Sequence, residues 1–219
     1  MTLGTTAPIG IPPPIAIPSA LVVRRFLLRH DERLVIPVLV IRKGAGPIGR
    51  VVLQAGLDGK ARPEDWPRIQ AHLDAGWDVV SFDPRGLGET RMRYKAASID
   101  DPELAAQSEA IAYASPISGV LANYVYNSLL TGRPYFLQMI EDAEIVARFA
   151  RAELGAERLA IAGDGEARLY AASVARTLPG VELLPGESPA VDDWARWVDE
   201  MREQWPIHYL LPGGAHVRE

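Results

Sequence analysis

The sequence predicts an α/β fold: a mostly parallel sheet that opens on an N-terminal antiparallel hairpin and carries helices on both faces. Three observations lead there. Near the start, two apolar, β-branched runs flank a short polar segment. Short continuous apolar runs then recur, each typical of a strand buried on both faces. Between them lie longer stretches whose apolar residues follow helical spacing.

The elements follow in order. Leu21–Leu28 and Leu34–Ile41 are the two arms of the hairpin, with His30-Asp31-Glu32-Arg33 between them. Gly49–Ala55 (GRVVLQA) is the first buried strand. Pro63–Ala75 is a helix with Glu64 and Asp65 in its first turn, where the helix dipole favours acids, and Gly76 closes it. Trp77–Phe82 is the next strand and ends in the turn-rich Asp83-Pro84-Arg85-Gly86-Leu87-Gly88. The region 91–115 is more polar, with Asp101-Pro102 suited to start a short helix. Val120–Leu130 and Tyr135–Leu154 read as helices; in the second, Phe136, Ile140, Ala143, Ala147, Ala150 and Leu154 make one apolar stripe that ends at Gly155. Arg158–Ala162 is a strand followed at once by a glycine turn and a helix to about Thr177. Val181–Leu184 is a strand, Ser188-Pro189 starts a helix, and Ile207–Leu211 suits a final strand.

At 219 residues the chain can bury one sizeable core. Residues 21–219 read as a single domain, with 91–131 as an insertion or cap-like segment. The net charge of −5 supplies no basic field for phosphates, which argues against nucleic acid and anionic membrane as partners. The absence of cysteine excludes disulfides, thiolate catalysis and cysteine-based zinc sites. No apolar run approaches the ~20 residues of a membrane-spanning helix. Residues 1–20 carry Pro8, Pro12, Pro13, Pro14 and Pro18 and no basic residue, so they read as an extended arm rather than a signal peptide. The cytoplasm is the default compartment, although Pro18-Ser19-Ala20 ends in small residues as a cleavage site does and leaves secretion open.

The segment Arg158-Leu-Ala-Ile-Ala-Gly-Asp-Gly-Glu-Ala-Arg168 resembles the nucleophile elbow of the α/β-hydrolases, small-x-nucleophile-x-small on a sharp strand-to-helix turn. In that register Gly163 and Ala167 are the flanking small residues, and Gly165 stands in the nucleophile position. Val52-Leu-Gln-Ala-Gly-Leu-Asp-Gly-Lys60 is similar to the family's strand and oxyanion loop, and Gly76–Gly88 to its next strand with an Asp-x-Arg-Gly-x-Gly turn. The resemblance spans about residues 21–187 and is nearest to the acetylxylan-esterase and prolyl-oligopeptidase-like branch. It implies an α/β-hydrolase-like fold, carboxylic-ester hydrolysis by a Ser-His-Asp triad, and a small ester or carbohydrate ester as ligand. It implies no cofactor and no metal.

The chain departs from that pattern twice. Gly165 has no side chain, so no acyl-enzyme forms there. The family places its histidine near the end of a longer chain, and here the sequence stops at Glu219, which reads as truncation at the C-terminal end of the fold. The expectation is therefore a catalytically impaired hydrolase. Its oxyanion-hole-like backbone would come from Leu57, Asp58 and Glu166. Two alternatives stand beside it. One is an active esterase in which Asp164 works with His208 or His216. The other is a structural or interaction part of a larger hydrolase, covered by a partner domain or a second copy.

The remaining candidates read as structural. Glu187 follows the strand after the elbow, where some family members carry their acid, but it also suits a helix start. His30 and His72 read as surface residues, and His208 as a strand residue. His216 lies near the end without a fixed orienting partner. No histidine pair has metal-ligand spacing. Asp83 and Arg85 read as turn braces, Asp58-Gly59-Lys60 as a loop, and Ser173 as a packed or exposed helix residue. Trp194, Trp197 and Trp205 form a stripe that covers the sheet or meets a partner.

Overall fold

The computed structural model describes residues 21–29, 34–54, 56, 59–90 and 127–186. Six strands form one sheet: β1 (Leu21–Arg29), β2 (Val35–Lys43), β3 (Arg50–Gln54), β4 (Asp78–Phe82), β5 (Arg158–Ala162) and β6 (Val181–Leu183). Their spatial order is β1-β2-β4-β3-β5-β6. The hairpin β1–β2 is antiparallel over its full length, and β2 meets β4 antiparallel from Val38 to Ile41. From β4 onward, through β3 and β5 to β6, every pairing is parallel. Pro37 has no N–H for a ladder and lies just beyond the β2–β4 pairing, where its carbonyl accepts the Asp83 N–H at 3.1 Å.

The inner strands are short and apolar because helices cover both faces. On one face α1 (Trp66–Asp74) packs Ile69 and Leu73 against Val52, Val79 and Ala160. A 3₁₀ turn, Pro63–Asp65, precedes it, so the single helix expected over 63–75 is two pieces. Proline inside both first turns favours that tighter start. The helix ends as expected, with Trp77 N–H bonded to the His72 carbonyl and Gly76 N–H to that of Leu73. Trp77 then plugs the start of β4, with the Arg50 guanidinium 4.2 Å above its ring.

The opposite face carries α2 (Tyr135–Ala152) and α3 (Glu166–Thr177). Phe136, Ile140, Ala143, Ala147 and Ala150 are buried, as their spacing predicts, and Met139 and Val146 widen the stripe. Alanines at the contact let α2 approach Val51, Leu53 and Ile161 closely. Tyr170 of α3 is buried whole, its hydroxyl donating to the Met139 carbonyl at 2.7 Å. Residues 127–130 are helical; the rest of the helix expected over 120–130, with Asp101-Pro102, Ser188-Pro189 and 207–211, lies outside the described residues.

One charged residue interrupts the apolar face of α2. Asp142 is fully buried and accepts the backbone N–H of Arg85 at 2.8 Å and its Nε at 2.9 Å, with Nη2 completing a forked pair. Burial raises the Asp142 carboxyl above its ordinary pKa, against the pull of Arg85. Arg85 Nη1 also donates to Gln138, and the Tyr135 hydroxyl donates to the Arg85 carbonyl. Asp142 thus bolts the turn after β4 onto α2. Replacing Asp142 with alanine leaves a cation without its buried partner and should cost about 3–5 kcal/mol, against a smaller loss for Asp142→Asn, in urea unfolding. Leu53→Ala, in the middle of the sheet, should cost about 2–5 kcal/mol by the same measurement.

Candidate functional site

In open α/β sheets ligands bind outside the carboxyl ends of the strands. Three segments meet at that end: the loop after β3, the turn after β4 and the bend between β5 and α3. The bend is the sharpest. A Cβ on Gly163 would lie 2.6 Å from the Ala167 carbonyl oxygen, so only glycine lets α3 return this closely onto β5. Gly165 caps α3 with φ 57° and ψ −129°, a conformation L-residues rarely adopt. A Cβ there would meet none of the described residues within 4 Å. Ala167 N–H bonds the Asp164 carbonyl and Arg168 N–H that of Gly165, while the backbone of Glu166 forms the first position of the helix.

The turn after β4 is organised by Asp83, which is 1% exposed. It accepts from the Lys60 backbone N–H at 2.6 Å, the Lys60 ammonium at 2.7 Å and the Glu89 N–H at 2.9 Å. The carboxylate fills the space a side chain on Gly88 would need. Lys60 also reaches Glu89, which Arg25 of β1 meets from outside. Burial opposes the charge of Glu89, yet Lys60 and Arg25 hold its pKa below the ordinary value. The sequence reading of Asp83 and Arg85 as turn braces is right in kind, but the two do not brace each other: Asp83 serves Lys60 and Arg85 serves Asp142. Lys60 is no plain loop residue, since only 5% of its side chain is exposed. Its neighbour Ala61 has φ 45° and is held by the Ser81 hydroxyl, which accepts its N–H at 3.0 Å.

The bend itself is tied to α1. Arg68 donates through Nη1 to Asp164 and, at 2.6 Å, through Nη2 to buried Asp65. With the Gln54 amide oriented to suit its neighbours, Gln54 oxygen accepts Arg68 Nε at 2.9 Å. Beyond the bend, Arg168 donates to the Leu184 carbonyl and Gly186 passes against Asp164 and Gly163. His72 corrects the sequence reading: it is not a surface residue but half-buried on α1, with Nε2 sealed and without a hydrogen-bond partner. Burial, then the positive field of Arg68, lowers its pKa, and Asp164 pulls the other way. Ser173 is packed, its hydroxyl donating to the Leu169 carbonyl at 2.8 Å.

Of the sequence candidates, Asp164, Gly165 and the Glu166 backbone share this bend. Leu57, Asp58, Glu187, His208 and His216 lie outside the described residues, as do His30, Trp194, Trp197 and Trp205. Among the described residues no cluster of His, Asp and Glu suits a metal ion, and no helix is long and apolar enough to cross a membrane. A cavity of about 370 Å³ opens between the turn after β4 and the start of α2. Of its lining groups Arg85, Ser128, Tyr135 and Gln138 are already hydrogen-bonded within the fold. Sequence reasoning missed Lys60, Asp65, Arg68 and Asp142; Lys60, Arg68 and Asp142 meet Asp83, Asp164 and Arg85, all distant in sequence. Only Asp65 and Arg68, three apart on one helical turn, left a local trace.

No protein-family model matches the chain, and no curated protein matches it in sequence. Solved structures do. Acetyl xylan esterase 1 from Thermoanaerobacterium sp. JW/SL YS485 is similar over 84% of this chain, with 14% identity and a TM-score of 0.54. The acetyl xylan esterase from Paenibacillus sp. R4 is similar over 85%, with 14% identity and a TM-score of 0.50. The chain spans 53% and 59% of the lengths of these two proteins. At such identity the likeness speaks for the fold alone. The sheet order, the hairpin and the two helical layers are those of the α/β-hydrolase fold.

Proposed function

We propose that this chain is an α/β-hydrolase-fold domain of carboxylic-ester hydrolase descent that no longer cleaves esters by serine chemistry and serves as a binding or scaffolding module. One observation carries the reading: the apex of the strand-to-helix bend is Gly165, at φ 57°, where the elbow pattern calls for a nucleophile and glycine has no side chain to present. A backbone amide at a helix start can still steady a carbonyl oxygen, so a small ester remains the ligand class to test first. Asp164 weighs little as a substitute nucleophile. It sits one residue before the apex, and its carboxylate is engaged by Arg68, which lowers its reactivity.

A second reading is favoured by length. The chain spans little more than half of the two esterases it resembles. In a longer protein the same sheet would be one portion of the hydrolase, and the isolated chain should then self-associate through exposed edges or apolar surface, measurable by sedimentation.

The purified chain should hydrolyse p-nitrophenyl acetate no faster than heat-unfolded protein at equal concentration. None of the described residues obstructs a side chain in Gly165→Ser, yet without a positioned base the gain should stay below about tenfold, equivalent to about 1.4 kcal/mol of barrier. The same variant should lose roughly 1–3 kcal/mol of stability, because an L-residue is then forced into the glycine conformation. Wild-type turnover abolished by Asp164→Asn would overturn the reading in favour of an atypical esterase, and a large gain in Gly165→Ser would reveal a working histidine.

A further inference from the structure

Among the described residues β1 pairs with β2 alone and forms one end of the sheet. It is nine residues long, so its outer edge runs for roughly 30 Å. Its register with β2 is unbroken from Leu21 to Arg29, without a bulge, and the strand contains neither proline nor glycine. Alternate residues along such an edge turn their N–H and C=O groups outward, and that row is a template for a further strand.

The side chains of β1 divide into two rows. Phe26 and Leu28 pack toward α2, with the Phe26 ring 5.0 Å from that of Phe149. Val23, Arg25 and Leu27 stand on the opposite face. Val23 is 39% exposed and Leu27 62%, so the described fold leaves both apolar groups at its surface. Arg25 lies between them, exposed and paired with Glu89.

These residues are arranged symmetrically about Arg25. A two-fold axis through that residue sets Val23 opposite the partner's Leu27, and Leu27 opposite the partner's Val23. On the other face it matches Val22 with Leu28 in the same way. Arg24 then faces the partner's Phe26, a ring that suits a guanidinium; within one chain Arg24 already lies 4.9 Å from the Phe26 centroid. The like-charge encounter at the centre is Arg25 with its own copy. Each copy brings the Glu89 carboxylate, which is 47% exposed and so accessible to both guanidinium groups. Sliding the pairing by two residues sets Arg25 against Leu27 or Val23, an apolar group opposite a charge.

From this self-complementarity we propose that β1 is a homodimerisation edge: two copies pair antiparallel about Arg25 and join their sheets into one. The contact takes one strand from each copy and is small beside the about 1,600 Å² of a standard interface, so the dimer is reversible and concentration-dependent. It requires no particular chemistry at the elbow and holds whether or not that bend is catalytic.

The test is sedimentation of the purified full chain across micromolar concentrations. Wild type should pass from monomer to dimer as concentration rises. Leu27→Lys should weaken the dimer roughly tenfold, because it sets two ammonium groups beside the paired arginines. Leu27 is exposed, so the thermal melt of this variant by circular dichroism should match that of wild type. The double variant Val23→Glu/Leu27→Lys should restore association. Its new carboxylate and ammonium are four residues apart within one copy and face each other only across the two-fold axis. A chain that stays monomeric, association that Leu27→Lys leaves unchanged, or a double variant no tighter than Leu27→Lys would each overturn the proposal. The second of these outcomes is the one expected if self-association comes instead from general exposed surface on a portion of a longer hydrolase.

Discussion

The carboxyl end of the sheet depends on how tightly α3 returns onto β5. At Gly163 strand and helix are too close for any side chain, and that contact fixes where the helix begins. The neighbouring segments conform to it. Gly186 passes over Asp164 and Gly163 with no room to spare, and Arg168 ties the chain after β6 to the same helix. A small residue at one position thus sets how the bend meets the chain after β6.

Around that contact, ionic pairs do the work that apolar packing does lower in the sheet. Asp83 joins the loop after β3 to the turn after β4, Asp142 joins that turn to α2, and Arg68 joins α1 to the elbow. Each pair links segments distant in sequence, with separations of 23, 57 and 96 residues. Asp83 and Asp142 are almost wholly enclosed, so removing a partner would strand a charge in the interior. Such pairs contribute geometry more than net stability: they specify which loop sits against which helix. A cleft needs that definition, because loops left to apolar contacts alone would settle in several arrangements.

This division also explains what the sequence could reveal. Strands such as Arg158–Ala162 and the stripe of α2 are written locally, as runs and spacings, and their limits are recovered to within about two residues. The glycine bend is equally local, since its steric demand leaves small residues at fixed offsets. The strand order was less accessible: β4 lies between β2 and β3, and no local pattern encodes that crossover. Asp142 interrupts an otherwise apolar face, and nothing near it in sequence names Arg85 as the reason. His72 looks like any polar helix residue until its half-buried place on α1 is seen. The site is thus legible where it is backbone and illegible where it is charge, because ion pairs join residues that only the finished fold brings together.

The apex residue sharpens the same point. A side chain at the position of Gly165 would have to be held at φ 57° by the rest of the structure, at a cost of roughly 1–3 kcal/mol. Glycine occupies that conformation without steric penalty. The bend needs glycine-like smallness at Gly163 for packing, whereas a Cβ at Gly165 would meet none of the described residues within 4 Å. The close return of α3, the braced turn and the arginine tie to α1 all run through other residues. The shape of the bend is therefore set by Gly163 and its ionic neighbours and not by any side chain at 165.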